Sequence, residues 1–145
     1  MNANTNYEFS FTTSQNAEFV YQHLLNIKNW WNGLYNEIIE GESEKLDDVF
    51  SFSAGSGAHF SKQKLVELLP NEKIKWLVIE SNLSFLTKTD EWNNTKICFT
   101  IEEVNQNTNV TFTHEGLVPQ IECYGGCSVA WSKYLENLKE ALNKK

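Results

Sequence analysis

The stretch from about Pro119 to Asn143 constrains this chain more than any other, because its broad apolar stripe demands an equally broad partner surface. At about 100° per residue, Cys123, Cys127, Ala130, Trp131, Tyr134, Leu135, Leu138, Ala141 and Leu142 share one helical face. Glu122, Gly125, Ser132, Lys133, Glu136, Lys139 and Glu140 lie off it. Pro119 suits a first helical turn, where its missing N–H costs nothing. Gly125 and Gly126 weaken the following turn by up to about 1 kcal/mol each relative to alanine. Almost everything upstream alternates apolar and polar residues with a period of two, the pattern of half-buried strands. A sheet that curls around the helix is the arrangement that covers the stripe.

The upstream elements run in a simple order. Tyr7, Phe9 and Phe11 alternate with polar residues in a first strand. Ser14 is a candidate cap for a helix bearing Ala17, Val20, Tyr21 and Leu24 on one face. A second short helical piece spans about Ile27 to Trp31 and ends at Asn32-Gly33, followed by a possible strand from Leu34 to Glu40. Val49–Ala54, a turn at Gly55-Ser56-Gly57, and a long strand from Ala58 to Leu69 come next. Pro70-Asn71-Glu72 reverses the chain, with Pro preset for a turn position. Ile74, Trp76 and Val78 then face one way. Ser81 to Asp90 reads either as a strand end or as a loop carrying Leu83, Phe85 and Leu86. Trp92 to Ile101 and Val110 to His114 form the last hairpin, turning at Asn105-Gln106-Asn107. One strand, two short helices, a run of antiparallel strands and one long helix make an α+β layer architecture of about six to seven strands, the helix-grip arrangement. No repeat or linker interrupts it, so residues 1–145 are expected to form one domain.

With 145 residues, such a domain buries roughly two-thirds of its unfolded surface. Its 41% apolar and 21% charged residues suit a soluble globular protein. Aromatic residues make up 13%, including five Trp and nine Phe, more ring surface than a small core needs, which points to aromatic walls around a cavity. The net charge of −7 repels nucleic-acid backbones and anionic membranes. No stretch approaches the apolar length of a membrane span, and the N-terminal residues lack the pattern of a signal peptide. Three cysteines without secretory context read as reduced thiols in a cytoplasmic protein.

Several blocks together resemble a known family: Asn29-Trp30-Trp31, Val66 to Glu72, Lys75-Trp76, Glu91-Trp92 with Thr95 and Phe99, and Phe112-Thr113-His114-Glu115-Gly116-Leu117-Val118-Pro119 followed by Glu122-Cys123-Tyr124, Cys127 and Trp131. They are similar to the SRPBCC superfamily, the START-like and birch-pollen-allergen-like helix-grip proteins. Within it they most resemble homologues of the activator of the ninety-kilodalton heat-shock chaperone's ATPase. The resemblance spans about Tyr7 to Leu142. It implies a curved antiparallel sheet gripping a C-terminal helix around a hydrophobic cavity. Function transfers poorly, because members include lipid and hormone binders, cyclases and oxygenase subunits. The extra domain of the eukaryotic chaperone activators has no counterpart here, so the resemblance carries no expectation of a chaperone partner.

The candidate site follows from the aromatic residues and from strand parity. Trp31, Phe50, Trp76, Phe85, Trp92, Phe99 and Trp131 are the expected cavity wall, with Trp30 beside them. His114 shares parity with Phe112 and points inward, where it can bind a ligand's polar group, act as acid or base near neutral pH, or sit as a neutral core histidine. Cys123 and Cys127, spaced i and i+4, share a helix face and with Tyr124 can orient a ligand. A zinc site built from them with His114 or His59 lacks an evident fourth ligand, and no motif for a metal or cofactor is present. Cys98 alternates away from Ile97 and Phe99, onto the other sheet face or out to solvent. The leading expectation is a binder of a small apolar or aromatic molecule, possible as a homodimer. The alternatives are a cyclase-, lyase- or hydrolase-type enzyme using His114, or a chaperone-interacting module.

Overall fold

The structure, a computed structural model, describes residues 5–143. The opening residues read for a leader lie partly outside that range. Among the described residues the strands are β1 (Tyr7–Thr13), β2 (Ile38–Gly41), β3 (Val49–Ala54), β4 (His59–Leu69), β5 (Lys73–Leu83), β6 (Lys96–Val104) and β7 (Asn107–Glu115). Helix α1 (Ala17–Leu25) and a 3₁₀ turn (Ile27–Asn29) follow β1, and α2 (Tyr124–Asn143) closes the chain. The strands form a single antiparallel sheet in the order β1-β7-β6-β5-β4-β3-β2, so every pairing except β1 with β7 joins sequence neighbours. This is the expected α+β helix-grip architecture. The β6–β7 hairpin turns at Asn105 and Gln106, both at positive φ as a two-residue type I′ turn requires.

Strand parity decides what the sheet offers to α2. Inward-facing side chains include Phe50 and Phe52 of β3, Leu65 of β4, Ile74, Trp76 and Val78 of β5, Ile97, Phe99 and Ile101 of β6, and Val110, Phe112 and His114 of β7. From α2, Cys127, Trp131, Tyr134, Leu135, Leu138 and Leu142 close the core. Each fully buried ring or branched side chain contributes on the order of 1.5–3 kcal/mol. Cys98 packs on the opposite sheet face and is buried. It lies opposite Lys75, whose ammonium bridges Glu67 at 3.9 Å and Glu115 at 3.3 Å.

Several boundaries differ from the sequence reading, each for a local reason. Asn16 rather than Ser14 caps α1, its side-chain oxygen accepting from Phe19 N–H at 2.7 Å. The strand expected from Leu34 shrinks to Ile38–Gly41, because the Glu37 carboxylate gathers the N–H groups of Gly33, Leu34 and Tyr35 into a loop. The strand expected from Trp92 begins at Lys96; Trp92 to Thr95 instead form a turn pinned to β5 through Val78. Helix α2 starts at Tyr124 rather than Pro119, which lies in the preceding turns. Its start is set from outside, as the Glu91 carboxylate accepts from Glu122 N–H at 3.0 Å and Cys123 N–H at 2.9 Å. An acceptor at a helix N-terminus satisfies donors that have no partner within the helix.

Candidate functional site

Most of the space between sheet and helix is filled. Trp30 lies over Phe99 with ring centroids 4.9 Å apart, and Trp131 lies 4.6 Å from Phe112. Toward the β3–β4 hairpin the packing opens into a cavity of about 290 Å³, at the small end of ordinary ligand sites. Trp31, Phe52, His59, Trp92, Trp131 and Tyr134 form its walls, with Cys127 and Ala130 of α2 on one side. Phe85 and Tyr35 line it and are 57% and 39% exposed, so they mark the mouth. No Lys, Arg, Asp or Glu lines it. A larger groove of about 580 Å³ between α1 and β2–β3 includes Lys28, Glu42 and Glu44 in its lining, a setting suited to water rather than to an apolar guest.

The walls are built by stacking. Trp31 stacks on Phe52 at 3.9 Å and tilts against Trp131 at 4.9 Å. Trp92 lies parallel to Trp131 at 6.0 Å and meets the rings of His59 and His114 edge to face, each at 4.6 Å. Pairs of this kind contribute about 0.5–1.5 kcal/mol beyond the area they bury. At the lip, Tyr134 donates its hydroxyl proton to Glu37 at 2.6 Å, tying α2 to the 33–37 loop. Burial pushes the Glu37 carboxyl up, but the bonds from Tyr134 and from the N–H groups of Glu37 itself, Leu34 and Tyr35 outweigh it and hold the group below its ordinary range. The Tyr134 phenol is raised, by burial first and then by its bond to that carboxylate.

His114 supports the wall from behind. Trp131 Nε1–H donates to its Nδ1 at 3.0 Å, which leaves Nε2 to carry the proton and donate to Thr95 Oγ1 at 2.8 Å. Thr95 passes its own proton to the carbonyl of Trp92 at 2.7 Å. The chain therefore fixes one neutral tautomer, ties the Trp131 indole to β7 and joins it through Thr95 to the Trp92 backbone. Burial, with a smaller effect from nearby His59, pulls the His114 pKa down to about 3. Gly116 makes this approach possible: at φ +102, a Cβ there would sit 2.7 Å from Thr95 Cγ2. His59 stays neutral too, with burial pulling it down to about 4.

Of the residues expected at the site, Trp31, Phe85, Trp92, Cys127 and Trp131 line the cavity. Phe50, Trp76 and Phe99 do not line it; Phe50 borders the polar groove and Trp76 donates to Ser43 at 2.8 Å. Tyr124 borders a shallow surface depression on the far side of α2. Cys123 and Cys127 bring their sulfurs together at the start of α2, and Cys98 lies apart from them, buried on the other sheet face. Among the described residues, no three His, Cys, Asp or Glu side chains converge as a metal site. The sequence reading missed Phe52, His59, Tyr35 and Tyr134 as lining residues. Phe52 shares parity with Phe50, and Tyr134 follows Trp131 by three residues on the stripe, so both signals were available.

The comparisons agree with the architecture. A solution structure of the Aha1 dimer from Colwellia psychrerythraea superposes with a TM-score of 0.75 at 24% identity, covering 97% of each chain. Proteins from Nitrosospira multiformis (TM-score 0.73, 12% identity, 97% of each chain) and Cytophaga hutchinsonii (0.70, 17%, 98% of this chain and 96% of that one) share the fold. No curated protein matches the sequence. No helix among the described residues is long and apolar enough to cross a membrane. The family model described as Activator of Hsp90 ATPase homolog 1-like protein matches residues 17–143, and the chain belongs to that family.

Proposed function

We propose that this protein binds a small apolar or aromatic molecule in the cavity between its sheet and α2. The carrying observation is an uncharged, aromatic-walled space with a mouth, in a core that is otherwise filled. A water-filled apolar cavity gains free energy when a ring displaces the water, on the order of 25 cal/mol for each Å² of apolar surface buried. The reading treats His114 as a support of the wall rather than an acid or base, because both ring nitrogens are engaged. It is a carrier or sensor reading, with a cytoplasmic setting and no nucleic-acid partner. No chaperone contact is drawn from the family's name. A homodimer enters it only by analogy with the Colwellia relative, and sedimentation would then give twice 16.7 kDa.

The test is a thermal-shift and native mass spectrometry screen of apolar aromatic compounds against the wild type and Ala130→Trp. Ala130 lies half-buried on the cavity side of α2, so a bulky residue there fills the space. A compound that stabilises the wild type and not Ala130→Trp supports the proposal. Equal binding to both proteins places the guest elsewhere and overturns it.

A further inference from the structure

Two segments meet beside the mouth of the cavity, and carboxylates tie them together. Glu122 Oε1 accepts from Thr87 N–H at 2.9 Å, two residues beyond Phe85. Glu91 accepts from the N–H groups of Glu122 and Cys123 at 3.0 and 2.9 Å. Residues 84–91 and the approach to α2 therefore form one leaf of the mouth. The leaf joins the body of α2 through Gly125 and Gly126. Both glycines are exposed, neither has a left-handed φ, and a Cβ on either would meet nothing within 4 Å. Packing and backbone geometry do not call for glycine at these positions, and two in one turn soften it. Cys123 and Cys127 flank them. Their Cα atoms are 5.5 Å apart and their sulfurs lie together, within the disulfide range of about 4.4–6.8 Å. Cys127 also lines the cavity, while Cys98 is buried on the opposite sheet face.

We propose that Cys123 and Cys127 form a reversible dithiol–disulfide couple that latches this glycine hinge, tightening the mouth on oxidation and loosening it on reduction. The oxidant is a low-molecular-weight disulfide. One cysteine thiolate attacks it, forming a mixed disulfide and releasing one small thiol. The second cysteine then attacks the protein sulfur of that mixed disulfide, closing the Cys123–Cys127 bond and releasing the other small thiol. Two protein thiols are oxidised, one small disulfide is reduced to two thiols, and the two cysteine hydrogens leave with them. The new bond closes a short loop that contains both glycines, so it removes the freedom they give the turn. Both cysteines are buried, so the reagent meets them when the soft turn opens. The couple needs no guest in the cavity, and it stands or falls apart from the binding function.

The test equilibrates the full chain in glutathione buffers stepped from reduced to oxidised, then denatures and alkylates it for mass spectrometry. All three cysteines should be alkylated at the reduced end, and Cys98 alone at the oxidised end. On oxidation, amide hydrogen exchange at residues 84–91 and 121–127 should slow about fivefold or more, with β6 and β7 unchanged. Added reductant should restore the faster exchange, and Cys123→Ser should show no slowing. If Cys123→Ser fails to fold, Cys127→Ala takes its place; if both fail, the local difference between the two wild-type forms decides. Three free thiols at the oxidised end, or stable mixed disulfides with glutathione, overturn the couple. Exchange that is equal in the two forms, or slowed throughout the sheet, overturns the latch. A bond that reductant does not reopen in the folded protein overturns its reversibility.

Discussion

Replacing His114 with Gln should cost stability at neutral pH and return part of it in acid. At pH 7 the imidazole accepts from Trp131 Nε1–H and donates to Thr95. Glutamine has both kinds of group but cannot place them at both ring positions, so at least one buried partner is stranded. A stranded buried donor or acceptor costs about 1–3 kcal/mol, and the smaller side chain adds a void. The acid term has the opposite sign. The folded-state pKa of about 3 lies below the ordinary 6.5, so between those values the unfolded chain holds the proton and the folded chain does not. Its full contribution is present above pH 6.5 and is lost as pH falls toward 3. From 6.5 to 4.5, at about 1.4 kcal/mol per pH unit, the wild type should lose about 3 kcal/mol through this residue alone. Urea titrations followed by tryptophan fluorescence at pH 7 and 4.5 measure both terms. The variant should be less stable at pH 7 and fall less steeply. Parallel loss of stability in the two proteins would refute the neutral, doubly bonded histidine.

Gly116→Ala should destabilise by about 2 kcal/mol or more, through positive-φ strain and the close approach to Thr95, read by chemical denaturation. Glu91→Ala should remove the external cap of α2 at about 1 kcal/mol and raise amide exchange in its first turn, measured by hydrogen exchange. Cys98, buried beneath the Lys75–Glu115 ion pair, should resist thiol reagents until urea unfolds the sheet. Burial raises its pKa first, which further slows reaction of the folded form.

The fold was legible because period-two alternation and one long stripe are each sufficient to assign their elements. Phe50 with Phe52, Ile97 with Phe99, and Val110 with Phe112 and His114 all point inward as their spacing predicts. The misplaced boundaries share a cause: distant side chains set them. Glu37 holds residues 33–35 out of a strand, and Glu91 sets the start of α2 across 31 and 32 positions of sequence. Local propensity carries no record of such bonds. The site was half legible for a similar reason. Aromatic type nominates Trp76 and Phe99 as readily as Trp31 and Trp92. Trp76 and Phe99 sit on strands and fill the core, whereas Trp31 and Trp92 sit in the connections that border the cavity. His59 opens a strand whose inner face is polar through Ser61 and Gln63, so apolar patterning passes over it.

The indole N–H resonances of the five tryptophans give the most direct test of the cavity. In a ¹H–¹⁵N titration with tetralin, Trp31, Trp92 and Trp131 line the cavity and should shift most. Trp76, bonded to Ser43 and deep in the sheet, should shift least. Saturating shifts with that ranking are the expected result. No saturable shift, or shifts led by Trp76, would contradict a guest bound between the sheet and α2.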